Sequence, residues 1–265
     1  MLKDITLGQY FPGDTIVHRL DPRTKLILVI FYIAALFQAT GWISYLTVTA
    51  ATALCMILSH ISPKNIFKGL KPMLFIIVLT ALLNLFYTAG HEIIPGWRIT
   101  WEGLAKSVQM ILRIVLLITG TFLLTYTTSP IALTDGLEML LSPLKKLRLP
   151  VHEMTIMMSM ALRFIPTLIE ETDKIMSAQK ARGADFETGR LTERAKALLP
   201  ILVPLFVSAF RRADELAVAM ESRCYHGGEG RTRMKVLRFA ARDWVALALG
   251  AAFLAGMIVL KRFGL

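Results

Sequence analysis

Cysteine is nearly absent from this sequence. Cys55 lies in an apolar run and Cys224 in a polar one, so neither a disulfide framework nor a cysteine metal site is available. Charge is scarce as well, at 18% of residues, against about a quarter in ordinary globular domains. Catalytic signatures are missing. No G-x-x-x-x-G-K-[S/T] phosphate loop occurs, so the chain is not expected to hydrolyse ATP by itself. His152-Glu153 is not followed by a second His at zinc-protease spacing, and no G-x-S-x-G elbow is present. The N-terminal 25 residues are polar, and no small-residue cleavage pattern follows the first apolar run, so no cleaved signal peptide is expected.

What remains is hydrophobic. The 265 residues are 55% hydrophobic, with a mean hydropathy of +0.57, which excludes a disordered chain. A soluble nucleic-acid binder would explain the formal net charge of +11 but not the hydropathy. An integral membrane protein explains both, provided the charge is segregated.

It is segregated. From Leu26 to Ser59 there is no Lys, Arg, Asp, Glu or His, too long a run for one span of about 20 residues and sufficient for two short ones. Thr40-Gly41-Trp42 supplies the break, with Gly for the turn and Trp for the interface. Spans are predicted at 26–40 and 42–59, then in the uncharged runs 72–90, 114–134 and 244–260, five in all. Lys3, Arg19, Arg23 and Lys25 precede the first span, and Lys64, Lys68 and Lys71 follow the second without an acid. The positive-inside rule therefore predicts a cytoplasmic N-terminus and a cytoplasmic stretch 129–242, which holds 18 of the 30 basic residues. No ionisable residue lies within the uncharged runs, unlike the proton and ion relays of pumps. Arg113, at the edge of the fourth, is expected to snorkel to the outer interface. The spans read as a scaffold.

The cytoplasmic stretch reads as amphipathic helices. Leu133, Leu137, Leu140, Leu141, Leu144 and Leu147 share a stripe beside Lys145, Lys146 and Arg148. Such a helix can lie on the inner membrane face or pack as an ordinary surface helix. Met154, Met157, Met158 and Met160 crowd seven positions, a pattern that suits either a deformable contact surface or gap-filling in a core. Two further helices are expected. One runs from Pro166 to Gly183 with Glu170 and Lys174 paired on its exposed side. The other follows Pro200 and Pro204, with the stripe Phe206, Phe210, Ala213, Ala217, Met220, Cys224 and an Arg211–Glu215 pair. Both end alike, in Ala181-Arg182-Gly183 and Ser222-Arg223-Cys224, 41 residues apart. A single basic residue at a helix C-terminus is routine, because it complements the dipole. Two copies with small flanks suit a partner with two equivalent pockets, because small neighbours leave each guanidinium free to reach a carboxylate.

At these residues the chain resembles the transmembrane T component of energy-coupling factor (ECF) transporters, the EcfT or CbiQ-like family of ABC-type importers for vitamins and metal ions. The matching segments are His18-Arg19-Leu20-Asp21-Pro22-Arg23-Thr24-Lys25-Leu26, Leu162-Arg163-Phe164-Ile165-Pro166, Lys180-Ala181-Arg182-Gly183-Ala184 and the stretch from Arg212 to Arg223. The resemblance implies an all-α integral membrane protein, with residues 1–128 forming an N-terminal segment and four spans. Residues 129–242 would form a cytoplasmic coupling-helix domain, and 243–265 a last span. It implies a non-catalytic subunit in the plasma membrane of a bacterium or archaeon. Arg182 and Arg223 would each dock into one of two ABC ATPase subunits, homologous or identical, which bind ATP and Mg; this chain would bind no cofactor. One small substrate-binding (S) subunit at a time would rest on the coupling helices, with Met154, Met157 and Met158 at that contact. Lipid is the remaining partner, and nucleic acid is not expected. Ser222-Arg223-Cys224 lacks the family's glycine, and cysteine resists the left-handed backbone that glycine accepts. The rival functions are a membrane anchor that recruits partners to anionic lipid, and an intramembrane enzyme using His91, Glu92, His152 and Glu153. The latter are spread over opposite membrane sides, which opposes a converging site.

Overall fold

Asp21 and Pro22 begin the first helix, and both do so for local reasons. The Asp21 carboxylate accepts the Arg23 backbone N–H, and Pro22 occupies the first helical position, where its missing N–H costs nothing. The computed structural model describes residues 10–89, 100–143, 150–184, 186, 191–227 and 237–264. Among these the regular elements are helices. They are α1 (Pro22–Gln38), α2 (Trp42–Ser59), α3 (Pro63–Leu70), α4 (Leu74–Tyr87), α5 (Trp101–Thr127), α6 (Pro130–Leu141), α7 (Val151–Ala181), α8 (Leu191–Glu221) and α9 (Ala241–Arg262). A 3-10 turn, Lys71–Met73, joins α3 to α4.

The chain is an all-α membrane protein. Four segments are long and apolar enough to cross a bilayer: α2, α3 with α4, α5 and α9. The expected first span, α1, has 17 residues, about 26 Å of helix and the lower limit for crossing. Gly41 precedes α2 as its N-cap, which places the break at the expected position. The third expected span begins with Pro72 in the 3-10 turn and ends at Tyr87. The fourth differs. It starts at Trp101, with the Thr100 hydroxyl capping the Gly103 N–H, and stops at Thr127 ahead of Ser129-Pro130. Proline forces its predecessor out of the helical region, so 130–134 belongs to the next helix instead.

The chain divides into two compact units. Residues 8–139 and 236–265 form one, and residues 140–235 lie in the other. In the first, α1 packs against α9, α5 and α2, and α5 also against α2 and α4. Ala35, Leu36, Ala39, Tyr45, Val48, Leu116 and Met257 form its buried centre. Gly120 lies against the Tyr32 ring and Gly250 against Leu28, positions where a Cβ would collide. Small residues of this kind let membrane helices approach closely. By contrast Leu74, Phe75, Ile76, Leu82 and Phe86 of α4 are exposed, as a lipid-facing helix requires.

The polar segment before α1 is tied to the same unit. Phe11 donates its N–H to the Tyr126 carbonyl, and His18 Nε2 lies 3.1 Å from the Phe11 carbonyl oxygen. The Lys25 ammonium donates to the carbonyls of His18 and Thr127 and to the Thr128 hydroxyl. Asp243 of α9 accepts the Asp21 N–H at 2.9 Å and the Ala240 N–H at 2.8 Å. Arg23 closes on Asp21 with two side-chain hydrogen bonds, reaches the Leu237 carbonyl, and stacks 4.0 Å from the Phe239 ring centroid. Arg113 does more than snorkel. It donates to the Ala39 carbonyl at 2.9 Å, satisfying an acceptor just beyond the end of α1.

Residues 133–141 of the leucine stripe lie in α6, where Leu133, Leu137, Leu140 and Leu141 are partly covered. Its Thr134, Gly136 and Glu138 are buried, and a Cβ on Gly136 would meet Pro22. Leu144, Lys145, Lys146, Leu147 and Arg148 lie outside the described residues.

In the second unit, α7 packs against α8. Both helices start earlier than expected and run through proline: α7 contains Pro166, and α8 contains Pro200 and Pro204. Each proline forfeits one backbone hydrogen bond, a cost of about 3 kcal/mol in an isolated helix. Continuous helix on either side keeps the rest of the ladder intact.

Candidate docking site

The two small-Arg-small sequences end their helices in the same way. In the first, the Gly183 N–H donates to the Lys180 carbonyl and the Ala184 N–H to the Gln179 carbonyl, both at 3.0 Å. In the second, Cys224 N–H donates to Glu221 at 2.9 Å and Tyr225 N–H to Met220 at 3.0 Å. These paired bonds define a Schellman ending, with the arginine at the C-cap and the next residue in the left-handed conformation. Gly183 has φ +90° and Cys224 φ +56°. The absent glycine therefore does not change the turn. Cys224 adopts the left-handed backbone and bears the conformational cost that Gly183 avoids.

Ala181, Arg182, Gly183, Ser222, Arg223 and Cys224 are all exposed. Neither guanidinium has an ion-pair partner among the described residues. Each helix thus presents a free cation at its C-terminal end, one helix end apiece, with little side-chain bulk beside it. That arrangement can accept a carboxylate bidentately and leaves room for close backbone approach.

The apolar surfaces of the pair are also open. Met154, Met157 and Met158 are 49%, 60% and 43% exposed and lie at i, i+3, i+4 on α7. On α8 the sequence stripe does not face α7. Phe206 and Phe210 are exposed, and so are Leu202, Val203, Val207 and Val218. The side of α8 that is partly covered carries Ser208, Arg212 and Leu216 instead.

Periodicity therefore identified the apolar faces and missed the polar contact between the helices. The expected Glu170–Lys174 and Arg211–Glu215 pairs do not form. Arg212 Nη2 instead meets Glu171 Oε2 at 2.8 Å, across the two helices. Exposed i,i+4 pairs contribute little, so a half-buried interhelical partner wins. The signal that could have found it is spacing: Glu171 and Arg212 are 41 residues apart, the same separation as the two motif arginines. His91 and Glu92 lie outside the described residues. Among those described, no group of three His, Cys, Asp or Glu side chains is placed to hold a metal ion.

Fold and site together define a class, an all-α multi-pass membrane protein carrying a pair of helices with matched arginine-capped ends. Comparison with known proteins is specific within that class. Residues 13–234 match the family model CbiQ, described as cobalt transport protein. The chain is 50% identical over 264 residues to the energy-coupling factor transporter transmembrane protein EcfT of Ruminiclostridium cellulolyticum, covering 98% of both chains. It is 52% identical to the proteins of the same name from Clostridium kluyveri, over 99% of this chain and 98% of that one, and Thermosediminibacter oceani, over 99% of both. The chain belongs to this family of ECF transporter transmembrane components.

Proposed function

We propose that this chain is the scaffold and coupling subunit of an ECF-type importer for vitamins or other micronutrients. Two ABC ATPase subunits, homologous or identical, dock on the α7 and α8 ends, one at Arg182 and one at Arg223. ATP and Mg are bound and turned over in those subunits, and this chain transmits the resulting movement without catalysis of its own. One small membrane-embedded S subunit at a time rests on the exposed apolar faces, including Met154, Met157 and Met158. The complex sits in the bacterial or archaeal plasma membrane. The N-terminus and the 129–242 region are cytoplasmic, as the lysine and arginine distribution supports.

The observation that carries this reading is the matched pair of Schellman endings, which hold two exposed arginines in equivalent backbone settings. Neither arginine has an ion-pair partner among the described residues, so each charge is available to a partner carboxylate. Reversing either charge, Arg182→Glu or Arg223→Glu, leaves a buried partner charge uncompensated and is expected to weaken docking by about 2–5 kcal/mol. Folding and membrane insertion are expected to stay unchanged, because both side chains are exposed. Co-purification with the two ATPase subunits is the measurement. Equal ATPase yield from wild type and the Arg182→Glu/Arg223→Glu double variant would overturn the docking assignment.

A further inference from the structure

The α7–α8 contact has an internal symmetry. Both helices are 31 residues long. Glu171 lies 11 residues before Arg182, and Arg212 lies 11 residues before Arg223. The residues that meet across the pair are therefore equivalent positions of the two helices. From this contact to each C-cap arginine is an arm of the same length, about 16 Å at 1.5 Å per residue.

The arms are also built alike. Residues 171–182 and 212–223 contain neither proline nor glycine. All three helix prolines, Pro166, Pro200 and Pro204, lie on the other side of the contact. An uninterrupted hydrogen-bond ladder makes each arm stiff, whereas a proline segment bends more readily.

The contact itself is polar. Glu171 accepts from Arg212 Nη2 at 2.8 Å, with the two side chains 24% and 35% exposed for Glu171 and Arg212 respectively. Arg212 Nε also donates to the Ser208 hydroxyl at 3.5 Å. The Ser208 hydroxyl first, and then the Arg212 guanidinium, hold the Glu171 carboxyl below its ordinary range, so the charge persists at neutral pH. A directional polar contact adds a specified register to the packing of the two helices, and its position along them marks the point about which their angle can change.

We propose that Glu171, Arg212 and Ser208 form the pivot of the coupling-helix pair. They fix where α7 and α8 touch, so that the two arginine-bearing arms stay equal in length while the angle between the helices changes. A change of about 10° in that angle would move one arginine relative to the other by about 3 Å, given arms of 11 helical residues. The three side chains are positioning residues. This inference rests on the docking reading, since the pivot matters only if the arm ends are held by partners.

The test uses the full chain with both ATPase subunits and an S subunit in liposomes. Spin labels at Ser177→Cys and Val218→Cys, equivalent exposed positions on the two arms, report the separation of the ends. The background is Cys55→Ser with Cys224→Gly. With the pivot intact, each nucleotide state gives one narrow distance distribution. Glu171→Gln or Arg212→Gln is expected to broaden it by several ångströms and to lower substrate uptake per ATP hydrolysed about fivefold, with ATPase capture unchanged. The exchange Glu171→Arg/Arg212→Glu restores the pair and is expected to narrow the distribution and recover the uptake ratio. Loss of function by general misfolding would not be rescued in this way. An unchanged distribution and uptake ratio in Arg212→Gln would overturn the pivot, and so would failure of the exchange to rescue a folded complex. Failure of docking itself is read separately, from ATPase capture by the Arg182→Glu/Arg223→Glu variant.

Discussion

The unit containing α1–α5 and α9 and the unit containing α7 and α8 use their polar and apolar groups in opposite ways. In the first, Asp21 and Asp243 are buried at 7% and 1% exposure, and the Asp21 N–H donates to the Asp243 carboxylate. Its apolar side chains form a centre around Leu36, Tyr45 and Met257. In the second, Val151, Thr155 and Ile201 are the buried residues among those described. Met154, Met157, Met158, Phe206 and Phe210 are exposed, and its motif arginines have no ion-pair partner among the described residues. The difference teaches where stability comes from. The first unit gives its buried carboxylates Asp21 and Asp243 partners of its own, whereas the second leaves apolar and cationic groups open, as a segment with binding partners must.

The largest break in that contrast is expected at Asp243. Replacing it with Ala strands the N–H groups of Asp21 and Ala240 and removes the polar contact of α9 with the Asp21 backbone. The expected loss is about 3–5 kcal/mol, the usual cost of breaking a buried charged contact. Thermal unfolding of the full chain in detergent measures it. Asp214→Ala on exposed α8 serves as the control and is expected to change stability by less than about 0.5 kcal/mol. Equal shifts for the two would erase the distinction between the units.

Acid should separate the units next. Burial pushes the Asp21 carboxyl up, but the Arg23 side-chain and backbone hydrogen bonds and its charge outweigh this and hold it below the ordinary aspartate value. The folded state therefore binds fewer protons than the unfolded chain. The Asp21 contribution is complete above the ordinary aspartate pKa of about 4, and is lost as pH falls through the folded value below it. His18, also lowered because burial disfavours its charged form, adds a loss that begins as pH drops below its ordinary value of 6.5. The melting temperature of the full chain is thus expected to fall between pH 7 and pH 3. Asp21→Asn should start lower and show a flatter dependence. A variant with the wild-type slope would refute the assignment.

The smallest effects belong to the two turns. A Cβ at Gly183 meets nothing within 4 Å, so Gly183→Ala tests the backbone alone and is expected to cost about 1 kcal/mol. Cys224→Gly removes the same strain and should stabilise its turn by a similar amount. Amide exchange at 182–184 and 223–225 should therefore move in opposite directions, by about fivefold each. If both variants loosen their turns, the two endings are not equivalent.

Much of the fold was legible locally. Gly41 and Trp42 mark the α1–α2 break because turn propensity and interfacial preference are properties of single residues. The α9 span, expected at 244–260, forms as Ala241–Arg262. The start of α5 was illegible from charge-free runs, because Glu102, Lys106 and Arg113 lie within the helix. A charge within a helix that finds a carbonyl need not end it, as Arg113, midway along α5, shows on Ala39. The proline-containing starts of α7 and α8 were hidden for a related reason. A helix breaker signals a boundary only where the ladder on either side is too short to continue.

At the candidate site, both arginines and their small neighbours were readable from the repeat alone. Their shared backbone geometry was not, since a cysteine at the left-handed position contradicts residue preference. The role of His18-Arg19-Leu20-Asp21-Pro22-Arg23-Thr24-Lys25 was likewise invisible. It depends on Asp243, which lies 222 residues from Asp21.

By itself, the sequence determined the membrane class, most of the span positions and the two arginine motifs. These rest on apolar length, charge segregation and repeated local chemistry. Only the tertiary structure decided which polar groups meet: Asp243 with Asp21, Arg113 with Ala39, and Arg212 with Glu171 rather than with near neighbours. Helical periodicity specifies which residues share a face, but pairing across helices depends on how those faces are set against one another, and that is a property of packing.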